Sequence, residues 1–146
     1  DEKPAQSVFY SAWSSPFCGT ELPLGLKVIL AQFNVIKKIA AEGPCVIVGR
    51  CADYVLKDLD NVVKTFIYAS PETRIKNLVE KLNVTEKQAR SMMNKADKTR
   101  TAYYNYFTEK EWGKPDSYDL MIDTTHISPE AVADIIIAYS KGRSTK

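Results

Sequence analysis

The chain has 146 residues, 45% of them hydrophobic, with 20 basic and 18 acidic side chains and a formal net charge of +2. That length fits one domain with its own core. The near balance of charge excludes the broad basic face that duplex nucleic acid requires, so no nucleic-acid partner is expected and any anion site must be local. No apolar run approaches the roughly 20 residues of a membrane span, and Asp1-Glu2-Lys3-Pro4 does not open a signal peptide.

Three cysteines, Cys18, Cys45 and Cys51, show no paired spacing. They argue against a disulfide framework and for the reducing cytoplasm. With His126 as the single histidine and no Cys-x-x-Cys pair, no metal site built from protein alone is expected.

In chain order, residues 1–23 lack periodicity and mix Pro, Ser and Thr with Phe9, Tyr10, Trp13 and Phe17. They read as an arm whose aromatic rings dock onto a core, with a base-stacking platform as the lesser alternative; packing across a homodimer partner is a further arrangement open to it. From Leu24 to Glu42, apolar residues recur on a helical period, and Gly43-Pro44 ends the helix. Residues 45–48, Cys-Val-Ile-Val, form a short apolar run of the kind expected for a central parallel strand covered on both faces. Gly49 allows a turn after it, and Arg50 then stands where open α/β sheets bind ligands, beyond the carboxyl end of a strand. Its charged fork suits phosphate.

Residues 52–56 predict a short helix and 62–69 a second strand. Ser70-Pro71-Glu72 is a helix start, and Thr85-x-x-Gln88 is a capping box opening a longer helix that runs to about Tyr106. Leu120-Met121-Ile122 predicts a third strand, emptying into Asp123-Thr124-Thr125, and Ser128-Pro129-Glu130 starts the last helix. Strands alternating with helices argue for a three-layer α/β/α parallel sheet. Three strands are few for such a sheet, which suggests an incomplete domain over 24–146, with a helical lid over about 74–115.

The long helix carries the chemistry. Arg90, Asn94, Lys98 and Thr101 fall on one side of it, and Asp97 and Arg100 are three residues apart and can orient each other. Arg74 lies one turn into the preceding helix. A solvated face laced with ion pairs would show the same charge pattern. Cations gathered at one end of the sheet would also serve phosphoryl transfer, which needs charge placed around phosphate oxygens more than it needs covalent chemistry. A mobile basic helix closing over a cleft would bring that charge and expel water.

Together these segments carry a resemblance. Val46-Ile47-Val48-Gly49-Arg50-Cys51-Ala52-Asp53, Phe66-Ile67-Tyr68-Ala69 with Glu72 and Arg74, Asp97-Lys98-x-Arg100 with Tyr103-Tyr104, Trp112-Gly113, Tyr118-Asp119-Leu120 and Ile122-Asp123-Thr124-Thr125 resemble the bacterial cytidylate kinase-like family. The family belongs to the P-loop nucleoside monophosphate kinases. The resemblance implies transfer of a phosphate from ATP, with Mg²⁺, to a nucleoside monophosphate such as CMP. It implies that Arg50, with Cys51 and Asp53, binds the acceptor. Arg74, Lys98 and Arg100 would clamp the transferring phosphate, Asp97 would position them, and Asp123 and Thr124 would lie near the donor base.

Two features depart from the pattern. Cys51 stands where true cytidylate kinases usually carry Asp, so the acceptor base stays open. A phosphate loop needs glycines five apart before Lys-[Ser/Thr], and Gly19, Gly25, Gly43, Gly49, Gly113 and Gly142 contain no such pair. The expectation is therefore a chain that lacks the N-terminal part of the kinase and does not turn over alone. A non-catalytic nucleotide-sensing module built on the same fold is the alternative.

Overall fold

The computed structural model describes residues 24–143; the expected aromatic arm, with Cys18, lies outside the described residues. Helix α1 (Leu24–Glu42) is followed by α2 (Ala52–Val55), strand β1 (Thr65–Tyr68), α3 (Pro71–Leu82), α4 (Glu86–Thr108), a 3-10 turn (Pro115–Ser117), strand β2 (Leu120–Asp123) and α5 (Pro129–Gly142). The result is a helix-rich α/β chain. Its two strands pair in parallel, Thr65 opposite Leu120 through Tyr68 opposite Asp123. The parallel pairing requires a crossover, and α3 and α4 supply it.

The helix starts form as their sequences dictate. Ser70 Oγ accepts a hydrogen bond from the Thr73 amide at 3.2 Å and Pro71 takes the first helical position. Thr85 and Gln88 close both arms of the capping box, and Ser128 caps α5 through the Ala131 amide at 3.3 Å. Helix α4 runs to Thr108, two residues beyond the expected end, and stops on Glu109 in the left-handed conformation.

One expectation is overturned. Residues 45–48 are extended, but among the described residues they pair with no strand. Val46 is 94% and Val48 89% exposed, so this is not a strand covered on both faces, and Cys45 is exposed instead of serving as a small core hydrophobe. Of these four only Ile47 turns inward, packing with Val62 against Ile36, Ala52 and Leu56. An apolar run declares a strand only when a neighbour offers hydrogen bonds, and the described residues offer none here. The second strand is also shorter than the expected 62–69, because only Thr65–Tyr68 lies opposite β2.

Helix α4 ties the fold together. Its Ala89 and Met93 pack on Ile75 of α3. One turn before its end, Tyr104 joins Phe33 of α1 and Cys51 in a second cluster. The return from α4 to β2 is set by aromatic packing. Phe66 meets Trp112 edge-on at 5.3 Å and Tyr118 at 4.9 Å. Gly113 is required in that corner: its φ is +79°, and a Cβ there would meet the Phe66 ring at 3.2 Å.

Candidate functional site

The candidate site is drawn from four short segments, of which three meet α4 and the fourth meets the start of α3. The first is the turn at Gly49-Arg50-Cys51, where three successive residues take left-handed φ values of 69°, 57° and 55°. The turn closes when the Ala52 amide donates to the Gly49 carbonyl at 3.1 Å and the Val55 amide to the Cys51 carbonyl at 2.9 Å. It sends neighbouring side chains in opposite senses. Arg50 is exposed, and Cys51 is 3% exposed against Phe33 and Tyr104. Burial, with the Asp53 charge nearby, pushes the Cys51 thiol up to about 12. A thiol of that kind is a packing group.

The second segment is Asp53, whose Oδ2 accepts the Tyr104 hydroxyl at 2.6 Å. Burial, and then the bond to Asp53, hold the Tyr104 phenol protonated far above its ordinary range. This pair fixes α2 to the last third of α4. Tyr118 closes the same corner, with its ring 6.4 Å from that of Tyr104.

The third segment is an ion-paired cluster between α3 and α4. Arg74 of α3 donates to both oxygens of Asp97 on α4, each at 2.7 Å. Arg100, one turn further along α4, donates to Asp97 Oδ1 at 3.2 Å. The hydrogen bonds from Arg74, and then the charges of both arginines, hold the Asp97 carboxyl below its usual range despite partial burial. A bidentate pair fixes the plane of a guanidinium as well as its position, so Arg74 is oriented. Arg100 is more loosely held and 58% exposed at its side chain. Lys98 projects from the same turn and is exposed.

The fourth segment is the carboxyl rim of the sheet. The Thr124 amide and hydroxyl donate to the Tyr68 carbonyl at 2.8 and 3.0 Å. Asp123 Oδ1 accepts from the Thr125 hydroxyl and amide, which hold its carboxyl low. Thr125 Oγ1 in turn accepts the Ser70 amide at 2.8 Å. The β2 rim is thereby locked to the start of α3, one turn before Arg74.

The residues proposed from sequence therefore fall into linked groups. Arg74, Asp97 and Arg100 form one cluster. Cys51 and Asp53 are joined to α4 through Tyr104. Asp123 and Thr124 reach Arg74 through Ser70 and the first turn of α3. Among the described residues Arg50 makes no hydrogen bond or ion pair with the Arg74–Asp97–Arg100 cluster. On α4, burial raises the pKa of the Tyr103 phenol, the Cys51 thiol adds to that, and Arg50 opposes it.

Sequence reasoning gave Tyr103, Tyr104 and Tyr118 no roles, because a tyrosine on a helix discloses nothing about a partner some 50 residues away. Arg90 belongs elsewhere: it pairs with Glu86 at 3.3 Å. It lines a groove of about 360 Å³ with Glu72, Ile75, Lys76, Val79 and Glu86. That groove contains none of the proposed site residues. Its Lys76 is also paired, to Glu80 at 3.9 Å, so it holds no cation poised for phosphate. Among the described residues no helix is long and apolar enough to cross a membrane.

A family model described as the cytidylate kinase-like family matches residues 1–126. The crystal structure of an uncharacterized protein from Eubacterium ventriosum is 36% identical, with a TM-score of 0.77, over 82% of this chain and 76% of that one. No curated protein matches the chain.

Proposed function

The chain belongs to the cytidylate kinase-like family, and from that premise we propose that it carries the acceptor site and lid of a nucleotide kinase that moves a phosphate from ATP to a nucleoside monophosphate. The observation that carries this reading is the Arg74–Asp97–Arg100 cluster, in which one carboxylate holds two guanidinium groups between two helices. A carboxylate that spans both arginines aims them without neutralising either outright, and leaves Arg100 donors free for another anion.

In the proposed reaction Arg50 binds the acceptor's phosphate, in a pocket walled by Cys51 and closed by Asp53. An oxygen of that phosphate attacks the terminal phosphorus of the donor, and the bond to the leaving nucleoside diphosphate breaks. Charge on the transferring oxygens is met by Arg74 and Arg100, with Lys98 closing over them. Asp123 and Thr124 lie beside the donor base. Among the described residues no three His, Cys, Asp or Glu side chains gather in one group. Magnesium would arrive on the triphosphate, where it shields charge.

The donor's β-phosphate needs a glycine-rich cradle that these 146 residues do not contain. In the proposed enzyme, sequence outside them supplies that cradle, together with a strand beside residues 45–48 that completes a three-layer sheet in the cytoplasm. A coupled assay of the full-length gene product against CMP, UMP, AMP, GMP and dCMP tests the reading. Phosphorylation of one or more is the expected result. Folded protein that phosphorylates none of them would sink it.

A further inference from the structure

The inward stripe of α4 does more than pack. Ala89, Met93, Asp97, Arg100, Tyr104 and Thr108 follow one another at intervals of three or four residues, so they share one side of the helix. Ala89 and Met93 hold α3, Asp97 and Arg100 belong to the arginine cluster, and Tyr104 holds Asp53. Asp97 and Tyr104 are seven residues apart, which is about two turns and roughly 10 Å of rise. One helix therefore joins the arginine cluster to the segment that opens with Gly49-Arg50-Cys51.

The join is well made. Tyr104 Oη donates to Asp53 Oδ2 at 2.6 Å, a short bond of the charge-assisted kind. The Tyr104 ring is buried with Phe33 and Cys51, so the hydroxyl has a fixed origin. Burial and the bond itself keep the phenol protonated, and it stays a donor. Asp53 lies in the first turn of α2, three residues after Arg50. That turn is closed in its own right by the Ala52 amide on Gly49 and the Val55 amide on Cys51. What Tyr104 adds is the position of the whole turn relative to α4.

We propose that Tyr104 and Asp53 are a pair of positioning residues: their hydrogen bond sets the Arg50 turn at a fixed distance along α4 from the Arg74–Asp97–Arg100 cluster, so that the acceptor's phosphate and the transferring phosphate are held in line. The inference rests on the proposed roles of Arg50 and of the cluster, and it deepens them. Asp53 serves the acceptor through Tyr104 and not by reading the nucleotide with its charge. Alignment of this sort acts when both sites are filled, and it appears in turnover more than in the affinity of either nucleotide alone.

The test uses the full-length gene product and three ligands: CMP, ATP, and cytidine and adenosine joined 5′ to 5′ by a pentaphosphate chain. Calorimetric binding of the joined ligand reads the alignment of the two sites. Tyr104→Phe is expected to weaken the joined ligand about tenfold, the scale of a hydrogen bond to a charged group, and to change CMP and ATP less than about twofold. Its kcat with CMP is expected to fall about tenfold while KM for CMP holds. Asp53→Ala is expected to match it, and the double variant to be no worse than either single one. Asp53→Asn keeps an oxygen that can accept the hydroxyl, and it is expected to recover most of what Asp53→Ala loses. Tyr104→Phe keeps the ring in its cluster and Asp53→Asn keeps the shape of the carboxyl, so both are expected to fold. Equal losses for CMP and the joined ligand, no loss for either, additive losses in the double variant, or an Asp53→Asn as poor as Asp53→Ala would each overturn the inference.

Alignment and activity are read separately. A parent that binds the joined ligand with this pattern of variants and phosphorylates no nucleotide keeps the inference and removes the kinase. Phosphorylation at the parent's rate by Tyr104→Phe keeps the kinase and removes the inference. A folded parent that neither binds the joined ligand nor phosphorylates a nucleotide removes both.

Discussion

Asp97 holds two arginines through three hydrogen bonds, and its own ionisation is part of the device. Its carboxyl is held below the ordinary range in the folded chain. The stability it contributes is therefore fully present above the unfolded carboxylate pKa and is lost as pH falls through the lower, folded value. Asp97→Asn is expected to cost about 1 kcal/mol near neutral pH, a figure discounted because all three side chains are partly exposed. It is also expected to flatten the acid limb of the melting-temperature profile, which thermal unfolding across pH 2–7 would measure. Turnover of the full-length protein should fall by more than nucleotide affinity does, since the arginines remain but lose their aim. The cysteines offer a second residue-scale check. Exposed Cys45 should react with iodoacetamide at pH 8, and buried Cys51, with its raised pKa, should be spared until the protein unfolds. Peptide mass spectrometry reads both sites at once.

At the scale of elements, what could be read from sequence was what is local. The caps at Ser70, Thr85 and Ser128 were legible because each satisfies amides three residues away. Both paired strands were legible, since β-branched and aromatic residues between turn signals mark them. The run at 45–48 misled because the same signal says nothing about whether a partner strand is present. The Arg74–Asp97 pair was half legible: each residue stood out, and the spacing of Asp97 and Arg100 declared their contact. The bridge between two helices, 23 positions apart in sequence, did not show. Asp53 to Tyr104, 51 positions apart, was likewise hidden. Helix α4 is closed at its start by both arms of a capping box. Gln88 Oε1 accepts both the Thr85 amide at 2.9 Å and its hydroxyl at 2.8 Å. Thr85→Ala should therefore cost about 1 kcal/mol, seen as a drop of several degrees in melting temperature with no change in fold by circular dichroism.

For the whole molecule, two strands make a small parallel sheet, a type that is normally buried on both faces. Here Ile67 is 53% and Tyr68 43% exposed, and Val46 and Val48 stand almost fully in solvent. If a further strand covers residues 45–48 in the full-length gene product, Val46→Lys should destabilise it by about 2 kcal/mol or more in urea titration, through burial of an unpaired charge. If Val46 stays in solvent there as it does here, the cost should be within about 0.5 kcal/mol, and the proposed three-layer completion would be lost.

The turn at Gly49-Arg50-Cys51 carries a consequence for how such a molecule is tuned. Arg50 and Cys51 each occupy a backbone basin that disfavours every side chain by roughly 1 kcal/mol or more, and glycine would relieve either one. A chain optimised for robustness alone would carry glycine at position 50, whereas the Cys51 side chain offsets its strain by packing against Phe33 and Tyr104. Keeping arginine at position 50 trades thermal resilience for a charge, and Arg50→Gly should survive heating at least as well as its parent; under the proposed acceptor role it should also bind CMP more weakly.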